Sequence, residues 1–335
     1  MIPATLAGWP PGRLRHDGGM ADVIVVGGGI IGLTAAVRLR EAGADVRVWS
    51  PDPPSGTVSA VAAAVWYPTR TDFDPRVLRW AEDAYDEFTR QAARGVPGVL
   101  LRPTRNLEAK SGGEMPWWAP AAGPVQIVPA AAPYGREIRF TAPLVEMDAY
   151  LPWLAGGLTV ERRRVDRPAD ALAEAPLVVN ATGLAARETA ADPDVYPARG
   201  QIVVVPNPGI GFSVRAEGDP STYVHARSRD VVLGGTYDID AWDLTADPAA
   251  RDGILARTHA LVPELDGLPI LAEKIGLRPC RRGGPRVERD GAVIHAYGHG
   301  GAGMTLSWGC ADEVVRLATT GTPHSTGRQT PARSV

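Results

Sequence analysis

The run Val23-Ile24-Val25-Val26-Gly27-Gly28-Gly29-Ile30-Ile31-Gly32 decides the fold. Asp22 to Val26 reads as a short buried strand: it is apolar, mostly β-branched and ends in glycines. Ile30 to Glu41 has helical spacing, with Leu33, Ala36, Val37 and Leu39 available to one buried face and Gly43 following as a stop. Val46 to Trp49 reads as the next strand. Strand, glycine turn, helix and strand within roughly 30 residues make a βαβ unit, whose parallel strands are joined by a right-handed crossover. The glycines fit G-x-G-x-x-G in the context that pattern needs. Gly27 permits the tight turn, Gly29 lets the backbone approach a pyrophosphate, and Gly32 lets the helix pack closely on the strand. Gly28, Ile30 and Ile31 complete the turn, and the helix N-terminus offers unpaired N–H groups and a positive dipole end to phosphates.

An acidic partner for ribose hydroxyls is expected about 20 positions further on. The second strand ends instead in Trp49-Ser50, and Asp52 follows. Asp52, or Ser50 with backbone groups, takes the ribose; a solvated turn aspartate is the equal alternative.

Downstream, Pro51 to Ser59 is turn-rich. Pro75 to Gln91 is predicted helical, with Val77, Leu78, Ala81, Ala84, Tyr85 and Phe88 on one face. Val99 to Ala109 and Val125 to Val128 are predicted strands, and Val145 and Met147 open a helix through Leu154. Leu177 to Asn180 is another short buried strand, ending in Ala181-Thr182-Gly183. From Gly200 the pattern changes. Gln201 to Val205, Thr222 to Ala226 and Asp230 to Gly234 are strand-like runs separated by Asp, Pro and Gly, the signature of an antiparallel sheet. Ala249 to Leu261 reads as a helix, Leu271 to Pro279 and Ala292 to Ala296 as strands, and Ala311 to Ala318 as a last helix.

Nucleotide-type signals therefore fall at the start, middle and end. The expected fold is α/β: a Rossmann-like binding domain from residues 20–75, 155–200 and 285–320, interleaved with a substrate domain of residues 76–154 and 201–284 built on a mixed, largely antiparallel sheet. Residues 1–19 and 321–335, polar and Pro-rich, are expected to be disordered tails, and Met20 is an alternative start to Met1.

Composition excludes several function classes. The 335 residues are 44% hydrophobic and 22% charged with net charge −3, so nothing argues for nucleic acid or an anionic membrane as partner. No run approaches the roughly 20 apolar residues that span a bilayer. Two cysteines, Cys280 and Cys310, make no disulfide framework and fit a reducing, cytoplasmic setting. His295 and His299 stand four apart, but Gly298 and Gly300 break the helix a metal pair would need, so no metal is expected. There is no Walker loop and no nucleophile elbow.

A second glycine-rich loop, Gly298-His299-Gly300-Gly301-Ala302-Gly303-Met304-Thr305, leads to the last helix. Such a loop brings backbone N–H groups against a ligand, and two separated backbone-approach sites suit a long, extended cofactor such as FAD. Val178-Val179-Asn180-Ala181-Thr182-Gly183 is a strand and turn of the kind common in flavoproteins.

Four further stretches carry a specific resemblance: Ser59 to Pro68 with its Ala62-Ala63-Ala64-Val65-Trp66 centre, Gly276-Leu277-Arg278-Pro279-Cys280-Arg281, His295 to Cys310, and Arg199-Gly200-Gln201. In their order along the chain and in combination they resemble the D-amino-acid oxidases from about Asp22 to Leu317. The resemblance implies FAD as cofactor, contacted by the first turn and by Asp52, Thr57, Ser59, Ala63, Ala64, Val65, Val165, Thr182, Gly183, Gly300, Gly301, Ala302, Gly303, Met304 and Thr305. It implies that Arg278 grips the substrate carboxylate, as a guanidinium does with two parallel bonds. Tyr223 assists it through its hydroxyl, and the Gly301 carbonyl receives the amine. The implied reaction is hydride transfer from the α-carbon of a D-amino acid to flavin N5, yielding a 2-oxo acid, ammonia and hydrogen peroxide, with oxygen as acceptor.

A second family tyrosine would stand at position 219, where this chain has Asp219, which bears on the pocket lid. A D-aspartate preference would need a further cation, from Arg215, His225 or Arg282. A glycine/sarcosine-type oxidase would share the fold, and a homodimer is compatible with it. From another class, a non-catalytic flavin-binding redox sensor would keep the glycine turns but has no use for a carboxylate clamp. A nicotinamide dehydrogenase does not account for the second glycine loop.

Overall fold

The computed structural model describes residues 21–68, 75–218 and 222–320. The expected tails, and Asp219, lie outside the described residues.

Two sheets carry the fold. The first has six strands in the order Arg286–Asp290, Val293–Tyr297, Leu177–Asn180, Val23–Val26, Val46–Ser50, Thr159–Arg162. All neighbours are parallel except the hairpin of the first two. Val23–Val26 and Leu177–Asn180 are buried at every position, as strands covered on both faces require. The helix Ile30–Glu41 starts at Gly29 and carries Arg38 and Arg40 in its last turn, where cations suit the dipole.

The second sheet has nine strands and is antiparallel throughout except where Val99–Glu108 runs parallel to Ser213–Ala216. One of its two ten-pair ladders joins Val195–Pro206 to Ala272–Arg281, opposing Ala198 to Arg278 and Gly200 to Gly276. The fold is therefore α/β with one mixed, largely antiparallel sheet. Val195–Pro206 belongs to that sheet from its first residue, so the sequence boundary at residue 200 falls inside an element.

Several elements correct the sequence reading. Val145 does not open a helix; it closes the strand Arg136–Val145, and the helix is Met147–Ala155. That strand was not expected, nor were Thr159–Arg162, Ser213–Ala216, Asp238–Ile239 and Arg286–Asp290. The last helix begins at Gly303, not Ala311, and runs to Thr320.

The main core lies between the first sheet and a helical layer of Ile30–Glu41, Pro75–Ala93, Met147–Ala155 and Gly303–Thr320, with Trp66, Trp80 and Trp308 almost wholly buried. Gly309 makes this packing possible: any Cβ there would collide with the backbone of Trp80. The Thr34 hydroxyl donates to the Ser307 carbonyl at 3.3 Å, tying the first helix to the last.

Candidate active site

A cavity of about 980 Å³ runs from the first glycine turn to the nine-stranded sheet. That is the upper end of the usual range for a small-molecule pocket. One end is built from segments that follow the strands of the first sheet. Gly27 has φ +125°, and a Cβ on it would strike the Ala181 carbonyl. At Gly28 a Cβ would sit 2.8 Å from the Ser50 hydroxyl, and at Gly32 it would overlap the Gly27 carbonyl oxygen. No side chain caps the helix at Gly29, and its first turn carries no acid. The Ile30 N–H donates to the Ser59 hydroxyl at 3.0 Å. A turn with no room for side chains at Gly27, Gly28 and Gly32, at a positive helix end whose first turn carries no acid, fits a pyrophosphate.

Ser50 ends the second strand buried, its hydroxyl donating to the Asp52 carbonyl at 2.7 Å, while Asp52 itself is exposed at the rim of the cavity. Thr182 donates to the Asn180 side-chain oxygen at 2.8 Å, which fixes the turn at Gly183, φ +60°. Ala64 also has positive φ, +55°, uncommon for a residue with a Cβ. Its carbonyl accepts from Val145 N–H, which seats the turn on the second sheet.

The other end is walled by the second sheet. Arg278 projects beside Gly200, where a Cβ would collide with its guanidinium. Its Nη1 donates to the Thr236 carbonyl at 3.2 Å and faces the Ala198 carbonyl at 3.5 Å. The Tyr237 ring lies 5.3 Å from its Cζ. Gly301 is adjacent, its ideal Cβ position 3.5 Å from Arg278 Cδ. Among the described residues no carboxylate pairs with Arg278, although it lines the cavity.

Tyr223 stacks on His225 with centroids 4.8 Å apart and planes 14° apart. Its ring fills the space over Gly234 and Gly235, where side chains would collide with it. Burial, reinforced by the Arg215 guanidinium, pushes the His225 imidazole down to about 3 from its ordinary 6.5, so His225 is neutral at working pH. Arg215 stacks over Tyr67 at 5.0 Å, and Asn106 donates to the Tyr67 hydroxyl at 2.9 Å. Burial raises the Tyr67 pKa, which Arg215 opposes.

Of the residues assigned from sequence to FAD or to the substrate carboxylate and amine, all but two line this cavity. The exceptions, Gly32 and Ala302, stand behind it: Gly32 lets the helix close on Gly27, and Ala302 is buried under the second glycine loop. Of the three candidate extra cations, Arg215 and His225 line the cavity and Arg282 does not; His225, being neutral, supplies no charge. Trp118 is buried against Trp66, Tyr67 and Phe140, and Trp117 is exposed. His299 is buried and held neutral, near 4, and His295 contacts Asn180. No group of three or more His, Cys, Asp or Glu among the described residues could hold a metal ion.

Sequence reasoning missed Tyr67, Thr104, Asn106, Phe140 and Tyr237, all lining residues. Tyr67 lay within a stretch already marked. The others sit in strands or strand ends with no motif of their own.

Residues 22–317 match the family model described as FAD dependent oxidoreductase (DAO). The chain is 44% identical over 317 residues to the D-amino-acid oxidase of Rubrobacter xylanophilus, covering 89% of this chain and 96% of that one. Identity to the D-amino-acid oxidase of Streptomyces coelicolor is also 44%, over 313 residues with the same coverage. The human D-aspartate oxidase is 32% identical over 323 residues, covering 89% and 94%. In fold, the chain resembles the glycine oxidase of Bacillus cereus, TM-score 0.76 at 18% identity, covering 91% of this chain and 99% of that one.

Proposed function

The chain belongs to the family of FAD-dependent oxidoreductases that includes the D-amino-acid oxidases, and from that premise we propose that it oxidatively deaminates a D-amino acid with oxygen as acceptor. The observation that carries the reading is Arg278: a guanidinium lining the cavity, held by the carbonyls of Thr236 and Ala198, and paired with no carboxylate among the described residues.

When bound, FAD supplies the redox chemistry, taking a hydride at N5 and passing two electrons to oxygen. The turn Gly27–Gly32 and the N–H groups opening the first helix would hold its pyrophosphate, and Asp52 or Ser50 would take the ribose. Thr57, Ser59, Ala63, Ala64, Val65, Val165, Thr182, Gly183 and the loop Gly300–Thr305 would supply the remaining contacts.

The chain's own part is orientation. Arg278 grips the substrate carboxylate bidentately, a geometry lysine cannot reproduce. The Tyr223 hydroxyl adds a second donor to that carboxylate. The Gly301 carbonyl, beside Arg278, accepts from the amine. Three contacts on two substituents, the carboxylate and the amine, orient the α-carbon, and the space left for the side chain, as the third point, decides which enantiomer presents its α-hydrogen. Holding reacting atoms in line removes several kcal/mol of barrier. The carboxylates that line the cavity, Asp52, Asp166 and Glu188, come from segments following strands of the first sheet. His225 is neutral but low in basicity. The reading therefore needs no protein base at the α-carbon: the hydrogen leaves with its electron pair, and the resulting imine hydrolyses to a 2-oxo acid and ammonia, with hydrogen peroxide formed from oxygen.

The division of the chain into FAD-binding segments 20–75, 155–200 and 285–320 and substrate segments 76–154 and 201–284 belongs to this reading, with the boundary at 200 drawn back to the start of the strand Val195–Pro206. So do a cytoplasmic setting, which the buried thiols of Cys280 and Cys310, joined in no disulfide, suit, and a homodimer, to be read by size-exclusion with light scattering. The test of function is spectroscopic. Anaerobic addition of a D-amino acid is expected to bleach the flavin bands of the purified protein, and oxygen to restore them, while the L-enantiomer does neither. Arg278→Ala is expected to raise KM greatly and lower turnover; near-normal kinetics in that variant reject the assignment.

A further inference from the structure

We propose that Tyr237 is the positioning residue of the Arg278 clamp, orienting the guanidinium with its ring and walling it off from a second cavity. The proposal rests on the reading of Arg278 as the carboxylate grip.

Arg278 is fixed along one edge only. Nη1 meets the Thr236 and Ala198 carbonyls, and no carboxylate among the described residues fixes the rest of the group. A guanidinium on a long stem loses its bidentate geometry if its plane turns. The next residue after Thr236, Tyr237, places its aromatic ring 5.3 Å from Arg278 Cζ. That lies within the distance at which a cation is attracted to an aromatic face. The Tyr237 hydroxyl stands 3.4 Å from Cys280 Sγ. Cys280 lies two residues beyond Arg278 on the same strand, so the ring is braced by the element that carries the guanidinium. Tyr237 thus touches Arg278 through its ring and that strand through its hydroxyl.

Behind the ring lies a second, polar cavity of about 200 Å³, walled by Tyr196, Cys280, Arg281, Arg282 and His299. Tyr237 lines both cavities. Removing the ring would join them and admit water to the flank of Arg278, where it would compete for the guanidinium.

The test uses holoenzyme and two readouts: KM and kcat for D-alanine, and the affinity for propionate, an unreactive carboxylate, followed through the flavin absorbance. Tyr237→Leu is expected to weaken propionate binding and raise KM by about tenfold, with a smaller change in kcat. Tyr237→Phe keeps the ring and is expected to stay within about twofold of the parent. In an Arg278→Ala background, Tyr237→Leu should add nothing, because residues acting through one another are non-additive. Tyr237→Met serves if the leucine variant does not fold. Unchanged KM and propionate affinity in folded Tyr237→Leu or Tyr237→Met overturns the proposal. So does an undiminished further loss on top of Arg278→Ala, or a Tyr237→Phe variant as impaired as the leucine one. If Arg278→Ala alone leaves propionate affinity intact, the carboxylate reading itself falls. If only the Tyr237 variants are silent, that reading stands and this one is rejected.

Discussion

A side chain on Gly200 and the guanidinium of Arg278 would occupy the same space. The two residues sit on paired strands, Gly200 opposite Gly276 and Arg278 opposite Ala198, so the glycine leaves the slot into which the arginine folds. Gly200→Ala should displace the guanidinium rather than the backbone, because the colliding atoms are the far end of a flexible side chain. The expected outcome is a KM raised by about tenfold or more, as a clamp moved by an ångström requires, with little change in Tm. Steady-state kinetics beside a thermal melt check this; an unaltered KM would mean Arg278 does not bind substrate in this pose.

Gly32 has no such freedom. Its Cβ would overlap the Gly27 carbonyl oxygen, a backbone atom held by the first turn. Gly32→Ala is expected to cost about 1–3 kcal/mol of stability, the usual range for overpacking, and to abolish FAD binding. Gly29→Ala meets only the Ser59 hydroxyl, at 3.1 Å. It should weaken FAD binding while leaving the melting temperature of the apoprotein nearly unchanged. Titration of each apoprotein with FAD, next to its melt, separates the two behaviours.

Tyr223→Phe keeps the stack on His225 and the fill over Gly234 but removes the hydroxyl. The loss of one hydrogen bond to a carboxylate predicts a KM rise of about threefold to tenfold with Tm preserved. No change in KM would free Tyr223 from substrate binding and leave it a packing residue.

Acid stability should depend on Glu87. Burial disfavours its charge, but hydrogen bonds from Arg90, Gln91 and Arg38 outweigh burial and hold the carboxyl down at about 2, against an ordinary 4.5. A carboxyl whose pKa is lower folded than unfolded stabilises the fold above the unfolded value, and that stabilisation drains away as pH falls through the folded one. The window is therefore about 4.5 down to about 2. Glu87→Gln should flatten the fall of Tm across that window, with Glu137, similarly held near 2 by Arg105 against burial and with Arg139 adding to it, supplying part of the remaining slope. A melt series in the two proteins decides it: identical slopes would reject the role.

The first strand, turn and helix were legible because every layer of their signal agrees: apolar β-branched residues, glycines at fixed offsets, then helical spacing. Arg136–Val145 was not. Its leading Arg136-Glu137 looks like solvated surface, yet both residues are buried, Arg136 donating to Glu108 at 2.7 Å and Glu137 accepting from Arg105. Sequence patterning treats such charges as exposed, and only the partner strand reveals the pairing. Arg286–Asp290 was hidden for a related reason, being a charged strand at a sheet edge. The last helix was started eight residues late because Gly303, Thr305, Ser307 and Gly309 dilute its pattern; Gly309 is required by Trp80, a contact distant in sequence. At the site, motif glycines and Arg278 were readable, while Tyr237 and Asn106 entered only through strand pairing and chain crossing.

The bond from Thr34 to Ser307 closes a loop of 273 residues. The ribosome releases the phosphate turn early, but the surface that covers its helix only near the end of translation. Until then Leu33, Val37 and their neighbours rest on the early strands and on Met147–Ala155 but lack the last helix, which covers them most extensively. Cofactor loading is therefore an event that follows completion of the chain, and a polypeptide stopped short of Gly303 should be a target for chaperones and proteases rather than a smaller flavoprotein.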